Sequence, residues 1–121
     1  MQYNTHIFYL FTFCRSLGPL LATKRKYLHD RLEAIGFTVL PAQGTYFLVA
    51  DFSSLRQTET ETDAEFCFRL TREAGVTLIP VSAFYEEEST APKTLVRFVF
   101  CKTDEKLASA CDALEKYFVA R

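Results

Sequence analysis

The sequence predicts an α+β domain with a small mixed sheet of three to four strands covered by helices. Its 121 residues are enough for one core, and 49% apolar and 15% aromatic residues can fill that core. Segments with helical periodicity alternate with pairs of β-rich runs, in the order helix, two strands, helix, two strands, helix. Turn residues and helix caps separate these segments, so each element can be predicted in turn.

The first helix is predicted over residues 19–35, where apolar side chains recur on one helical face. Gly36 follows as a left-handed residue that ends the helix. Two β-rich runs come next, at residues 37–40 and 45–52, and turn residues 41–44 connect them. The apolar face of the helix consists of Leu21, Leu28, Leu32 and Ile35.

The second helix is predicted to begin at a T-x-x-E capping box formed by Thr62 and Glu65, and to run to Ala74. Gly75 then ends it. We expect Phe66 at the edge of its buried face. The centre of that face is predicted to consist of Cys67, Leu70, Thr71 and Ala74.

Two further strands and a last helix complete the predicted order. Residues 76–79 form a short β-branched run that ends at Pro80, and residues 95–101 form the strongest strand. Thr103 caps the last helix, because acidic residues follow in its first turn. The apolar face of this helix consists of Leu107, Cys111, Leu114 and Phe118.

Residues 1–18 are predicted to be an apolar arm outside the domain of residues 19–121. The apolar run at residues 7–13 is too short to span a bilayer, which takes about 20 residues, and no basic residue precedes it as in a secretory signal. We therefore favour an irregular or helical arm that packs on a partner surface, and a secretory signal is the alternative. We therefore expect no membrane insertion.

Charge and cysteine usage indicate the compartment and exclude some partners. A formal charge of −1 gives no field that would attract nucleic acid. The four cysteines form no CxxC pair and have mostly apolar neighbours, which predicts reduced core residues of an intracellular protein, cytoplasmic or organellar. These residues are Cys14, Cys67, Cys101 and Cys111.

Arg97 is the residue on which the functional interpretation depends. It is the one charged residue of a run that is otherwise apolar on both faces of the predicted strand. An unpaired guanidinium is costly to bury, and its planar fork fits a carboxylate, so Arg97 is a candidate for binding a small acid. The alternative is that Arg97 lies at a strand end or pairs internally with Asp51 or Glu73.

Three segments in order carry a resemblance to a known family. They are Gly44-Thr45-Tyr46-Phe47, the run from Gly75-Val76 to Ile79-Pro80-Val81-Ser82-Ala83-Phe84-Tyr85, and Val96-Arg97-Phe98. Together they resemble the small domain of fold type I pyridoxal-phosphate-dependent aminotransferases, in the group of kynurenine aminotransferase, glutamine transaminase and methionine aminotransferase. The resemblance extends from about Leu20 to the end of the sequence.

This resemblance implies a role for each site residue. Arg97 matches the arginine that binds the α-carboxylate of the substrate, an amino acid or a 2-oxo acid. Gly44, Tyr46, Ser82 and Phe84 would lie in the wall of the same pocket. For Tyr46 and Phe84, ordinary core packing is the alternative.

The resemblance also implies what has to come from elsewhere. Intact members use pyridoxal phosphate held by a lysine of a large domain, and they are homodimers, but no lysine here lies in a matching motif. We therefore expect the isolated chain to have no bound cofactor and no transaminase activity, and its partner to be a large cofactor-binding domain or a full-length homologue. The alternative function is a non-catalytic α+β module, such as a regulatory amino-acid-binding domain.

Overall fold

The computed structural model describes residues 2–41, 47–87, 90–100 and 102–119, and their side chains from residue 19 onward. The predicted order of elements is confirmed in this part of the chain. The helices are α1 (Gln2–Ile35), α2 (Asp63–Glu73) and α3 (Asp104–Phe118). The strands are β1 (Thr38–Val39), β2 (Phe47–Asp51), β3 (Ile79–Pro80) and β4 (Leu95–Val99).

The four strands form one sheet in the order β1-β2-β4-β3, and each pairing is antiparallel. The α+β class is confirmed. The prediction of a mixed sheet differs from the structure, because each described pair of neighbouring strands is antiparallel. β2 and β3 do run in the same direction, and α2 lies in the connection between them. However, β4 lies between these two strands, so the parallel strands are not neighbours.

The helices cover one face of the sheet. Their apolar stripes join the inward residues of β2 and β4 in one buried cluster, which includes Leu48, Val96 and Phe98. Side chains at alternate positions of a strand point to opposite faces. The opposite face carries Phe47, Val49 and other half-buried residues of β2 and β4, which lie outside the buried cluster, and we call it the open face. This open face is where Arg97 lies.

Helix α1 begins at Gln2, well before the predicted start at Pro19, which lies inside it. It therefore continues across the predicted boundary at residue 18, and the division into arm and domain stays a prediction. No described helix is long and apolar enough to cross a membrane. Gly36 has a φ of 129° and ends the helix in the conformation that favours glycine. The predicted stripe is confirmed at Leu28, Leu32 and Ile35, which are buried, with Leu21 packed against them.

Helices α2 and α3 begin in the same way. The hydroxyl of Thr62 accepts a hydrogen bond from the backbone N–H of Glu65 at 3.2 Å, and Thr103 does the same for Lys106 at 3.2 Å. Both predicted N-terminal caps are thus confirmed. At the other end of α2, Gly75 has a φ of 75°, as its role as a stop requires.

The buried face of α2 is rotated from the predicted one. Phe66, expected at the edge, is fully buried, whereas Thr71 is exposed. The reason is aromatic packing: the ring of Phe66 stacks on that of Phe52 at a centroid distance of 4.1 Å. Arg69, which helical periodicity alone places among polar residues, is also buried.

Two smaller expectations can be compared with the structure. Strand β3 is shorter and later than the predicted run at residues 76–79, since the residues paired with β4 are Ile79 and Pro80. β3 is an edge strand, where a proline is tolerated.

Cys67 and Cys111 are buried free thiols, as predicted. The side chains of the other two cysteines lie outside the described residues.

Candidate functional site

Arg97 is the central residue of β4 and not a strand end. It pairs with Val49 of β2 on one side and with Ile79 of β3 on the other. Its neighbours Val96 and Phe98 point into the core, so the Arg97 side chain points to the open face. The surrounding sheet is apolar, and the guanidinium therefore lies in a half-buried, weakly polar environment.

Two aromatic rings flank the guanidinium of Arg97. Its Cζ atom lies 4.0 Å from the ring centroid of Phe47 and 4.5 Å from that of Phe84. These are cation–π contacts, and they orient a planar cation without neutralising it. We call Phe47, Arg97 and Phe84 the arginine clamp. Phe47, Phe84 and Arg97 belong to the first, second and third segments of the family resemblance, so the clamp brings the three segments together.

The Arg97 guanidinium has no internal anion among the described residues. Its Nε atom is buried and has no hydrogen-bond partner in this set. The carboxylates proposed as internal partners are engaged elsewhere: Asp51 accepts from the backbone N–H of Ser53 at 2.8 Å, and Glu73 accepts from the hydroxyl of Tyr117 at 3.0 Å. The internal pairing considered above is therefore not found.

A buried arginine that sequence analysis missed shows what internal pairing looks like. Arg69 makes a bidentate pair with Glu61, with Nε to Oε2 and Nη2 to Oε1 distances of 2.9 Å each. Both side chains are 7% exposed. Burial acts to raise the pKa of the Glu61 carboxyl, but the hydrogen bonds from Arg69 and Gln57 outweigh it and hold that pKa below its ordinary value.

The remaining predicted site residues have different surroundings. Phe84 is 57% exposed, so core packing does not account for it. The hydroxyl of Ser82 is engaged within the chain, where it donates to Oδ1 of Asp63 at 2.8 Å. Gly44 and Tyr46 lie outside the described residues, and their predicted roles stay predictions.

A cleft of about 700 Å³ lies on another part of the surface. Arg97 is not among the residues that line this cleft. Two acidic residues of the cleft already have partners: Glu61 pairs with Arg69, and Asp63 accepts a hydrogen bond from Ser82. No cluster of side chains suited to a metal ion occurs in the described ranges. The candidate site is therefore the arginine clamp and not the cleft.

The lysines do not fit the family's cofactor. All six are described: the ammonium group of Lys24 contacts Asp104 at 2.8 Å, that of Lys26 contacts Asp30 at 2.9 Å, and the other four side chains are exposed. A lysine that forms a Schiff base needs a desolvated pocket or a cofactor held beside it. No described lysine has such surroundings, so we derive no chemical step through pyridoxal phosphate.

Fold and site together define a class: a helix-covered antiparallel domain with an arginine on its open sheet face that has no anion among the described residues. The model of the family "aminotransferase class I and II" matches residues 19–114. The chain is 38% identical over 101 residues to a methionine aminotransferase of Escherichia coli, covering 84% of this chain and 25% of that protein. It is 34% identical over 116 residues to a kynurenine–oxoglutarate transaminase of Dictyostelium discoideum, covering 84% and 27%.

Solved structures agree with these similarities. The crystal structure of the E. coli methionine aminotransferase superposes with a TM-score of 0.75 at 35% identity, over 84% of this chain and 25% of that one. A putative kynurenine aminotransferase of Saccharomyces cerevisiae superposes with a TM-score of 0.78 at 26% identity, over 88% and 28%. The chain belongs to the class I and II aminotransferase family. It spans about a quarter of the length of the relatives it matches.

Proposed function

We propose that this chain supplies the carboxylate-binding arginine of a pyridoxal-phosphate-dependent aminotransferase that acts on an amino acid and a 2-oxo acid. Arg97 binds the α-carboxylate of either substrate. The observation that carries the proposal is the arginine clamp: a guanidinium fixed between two rings, with no internal carboxylate among the described residues.

The geometry suits a positioning role. A guanidinium binds a carboxylate most strongly through two parallel hydrogen bonds in one plane. The rings of Phe47 and Phe84 both lie within 4.5 Å of the guanidinium carbon, so they restrict how the cation can turn toward an anion. Apolar surroundings strengthen that charge-assisted bond. Arg97 thus orients the substrate and transfers no proton.

The open sheet face supports the second part of the proposal, which concerns the missing partner. Phe84 and Tyr85 are 57% and 46% exposed beside this face, and exposed apolar surface usually marks a contact. The relatives are about four times as long as the matched segment, so the contact that we propose is a large cofactor-binding domain. Homodimerisation belongs to the same proposal and rests on the resemblance, whereas the proposed cytoplasmic location rests on the cysteine usage.

A chimera tests the role of Arg97 directly. Residues 19–121 would replace the matching quarter of the E. coli methionine aminotransferase, and R97K would be compared with the unchanged chimera. Lysine keeps the charge but cannot form two coplanar bonds, so we expect kcat/KM to fall by about 100-fold, mainly through KM for both the amino acid and the 2-oxo acid.

R72K is the matched control, because Arg72 is exposed and stacks on a single ring, that of Phe68, at 5.4 Å. We expect it to keep kcat/KM within about twofold. An R97K chimera with an unchanged KM for both substrates would refute the proposed role of Arg97.

The isolated chain provides an independent test against the regulatory-module alternative. We expect no transamination, no lysine adduct with pyridoxal phosphate after borohydride reduction, and no saturable binding of amino acids or 2-oxo acids by calorimetry. The physical reason is that the described residues build one side of a pocket, and a carboxylate that stays hydrated gains little from one surface arginine. Binding in the micromolar range by the chain alone would favour the regulatory module.

A further inference from the structure

A buried aspartate connects helix α2 to the turn that carries Phe84. Asp63 is 4% exposed and accepts three hydrogen bonds: from the backbone N–H of Ser82 at 2.9 Å, from the Ser82 hydroxyl at 2.8 Å, and from the N–H of Ala64 at 2.8 Å. Two of these bonds cross from the helix to the turn. Neither helical nor strand periodicity requires this contact.

Ser82 lies two residues before Phe84 in the 3₁₀ turn Val81–Phe84. The Phe84 ring is more than half exposed, so core packing does not fix its position. The backbone of the turn has to do so, and the Asp63 carboxylate binds that backbone directly. A contact path thus leads from Asp63 through Ser82 and Phe84 to the Arg97 guanidinium.

We propose that Asp63 is a positioning residue for the candidate site: by binding Ser82 it holds Phe84 against Arg97 and so sets the plane in which the guanidinium meets a carboxylate. Ser82 then serves this contact and is not a substrate ligand, contrary to what the family resemblance implies. This inference rests on the proposed function only for the identity of the ligand. The effect of Asp63 on Arg97 can be measured without any ligand.

The chain contains a matched control for Asp63. Asp104 is also the first residue of a helix and also follows a capping threonine, so both aspartates interact with a helix N-terminus in the same way. However, the Asp104 side chain is 87% exposed and contacts Lys24 instead of a turn. D104N removes the charge near a helix end and leaves the arginine clamp untouched.

The first measurement uses the whole 121-residue chain, labelled with ¹⁵N, and follows the Nε–H signal of Arg97, assigned by its absence in R97K. In the wild type this nitrogen is buried and the adjoining Cζ atom lies within 4.5 Å of two ring centroids, so we expect a ring-current-shifted signal and slow exchange with solvent. D63N should move the signal toward that of a free arginine and speed exchange about tenfold, and S82A, which keeps the backbone bond to Asp63, should speed it about threefold. S82T, which keeps the hydroxyl, and D104N should leave it unchanged.

The second measurement uses the chimera. D63N should raise KM for both substrates about tenfold and S82A about threefold, with kcat within about twofold, as expected when a binding group is misplaced but retained. S82A removes one hydrogen bond and keeps the backbone N–H bond to Asp63, so this variant folds even where D63N is too destabilised to study.

The outcomes separate this inference from the proposed function. An unchanged Arg97 signal in folded S82A, or an equal shift in D104N, would overturn the positioning role of Asp63. A signal that responds to S82A, combined with an R97K chimera whose KM is unchanged, would support the positioning role and refute carboxylate binding by Arg97.

Discussion

Arg69 and Arg97 are two arginines of one small domain, the first buried and the second half-buried, and each contacts two aromatic rings. Arg69 lies on α2 against the rings of Phe66 and Tyr117, and Arg97 lies on β4 between Phe47 and Phe84. Arg69 has a carboxylate, that of Glu61, and Arg97 has none among the described residues.

The comparison separates structural from binding use of the same side chain. On the covered face of the sheet, the cation and its anion both come from this chain, so the pair stabilises the fold in its native geometry. On the open face, the rings orient the cation, and no carboxylate in the described part of the chain pairs with it, as a site for an external anion requires. Each of the following predictions tests whether the two arginines differ in this way.

The largest expected effect is loss of the Glu61 carboxylate. E61A leaves a buried, unpaired guanidinium, and we expect the free energy of unfolding to fall by about 3 kcal/mol. The double variant E61M/R69M, which removes both charges, should recover most of that loss. Urea unfolding followed by circular dichroism measures both, and an E61A variant as stable as the wild type would contradict the structural role of the pair.

The thiol of Cys67 reports on the same region independently. Burial and the neighbouring Asp63 carboxylate raise the pKa of this thiol to about 12, so it reacts with a disulfide reagent at pH 8 only when the structure opens. In a background with Cys14 and Cys101 replaced by serine, E61A should speed labelling at Cys67 about 100-fold, the equivalent of about 3 kcal/mol. R97M should leave the labelling rate unchanged.

The stabilising effect of the pair should depend on pH in one direction. The folded-state pKa of Glu61 lies below its ordinary value of 4.5, so its contribution is fully present above about pH 5 and is lost as pH falls through the folded pKa. The stability difference between wild type and E61Q should therefore shrink on acidification from pH 6 to pH 3. A difference that grows over this range would contradict the pairing.

The smallest expected effect belongs to Arg97. R97M removes two cation–π contacts, each worth about 1 kcal/mol at most for partly exposed groups. It also removes a buried nitrogen that has no partner among the described residues, and burying such a nitrogen costs the wild type about 1–3 kcal/mol. These changes nearly cancel, so we expect unfolding free energies within about 1 kcal/mol of the wild type. R69M is the matched control, with an expected loss of about 3 kcal/mol. An R97M loss as large as that of R69M would mean that Arg97 is structural.

Much of the fold could be predicted because its signals are local. Thr62 and Thr103 cap their helices through N–H groups three residues away, and Gly36 and Gly75 end them with a positive φ. Alternation along residues 95–101 predicted that Arg97 points away from Val96 and Phe98, but which of the two faces is the core was seen only in the structure. The start of α1 and the rotation of α2 could not be predicted this way, since Phe66 turns inward to stack on Phe52, a partner distant in sequence.

The candidate site was predictable in part. The apolar context of Arg97 and the order of the three family segments identified the guanidinium. The same context could not show whether a carboxylate of this chain lies beside it, because Glu61 pairs with Arg69 across an irregular connection and not at helical or strand spacing. The contact of Asp63 with Ser82 depends in the same way on how α2 packs against the turn.

The sequence by itself determined the helices, the strands, their caps and the one arginine placed in an apolar strand, because each follows from side-chain periodicity and from hydrogen bonds within a few residues. Only the tertiary structure decided which arginine receives an internal carboxylate, which face of the sheet stays open, and which side chains hold Phe84. The physical reason is that burial and charge pairing depend on distances between residues far apart in the chain, and folding alone sets those distances.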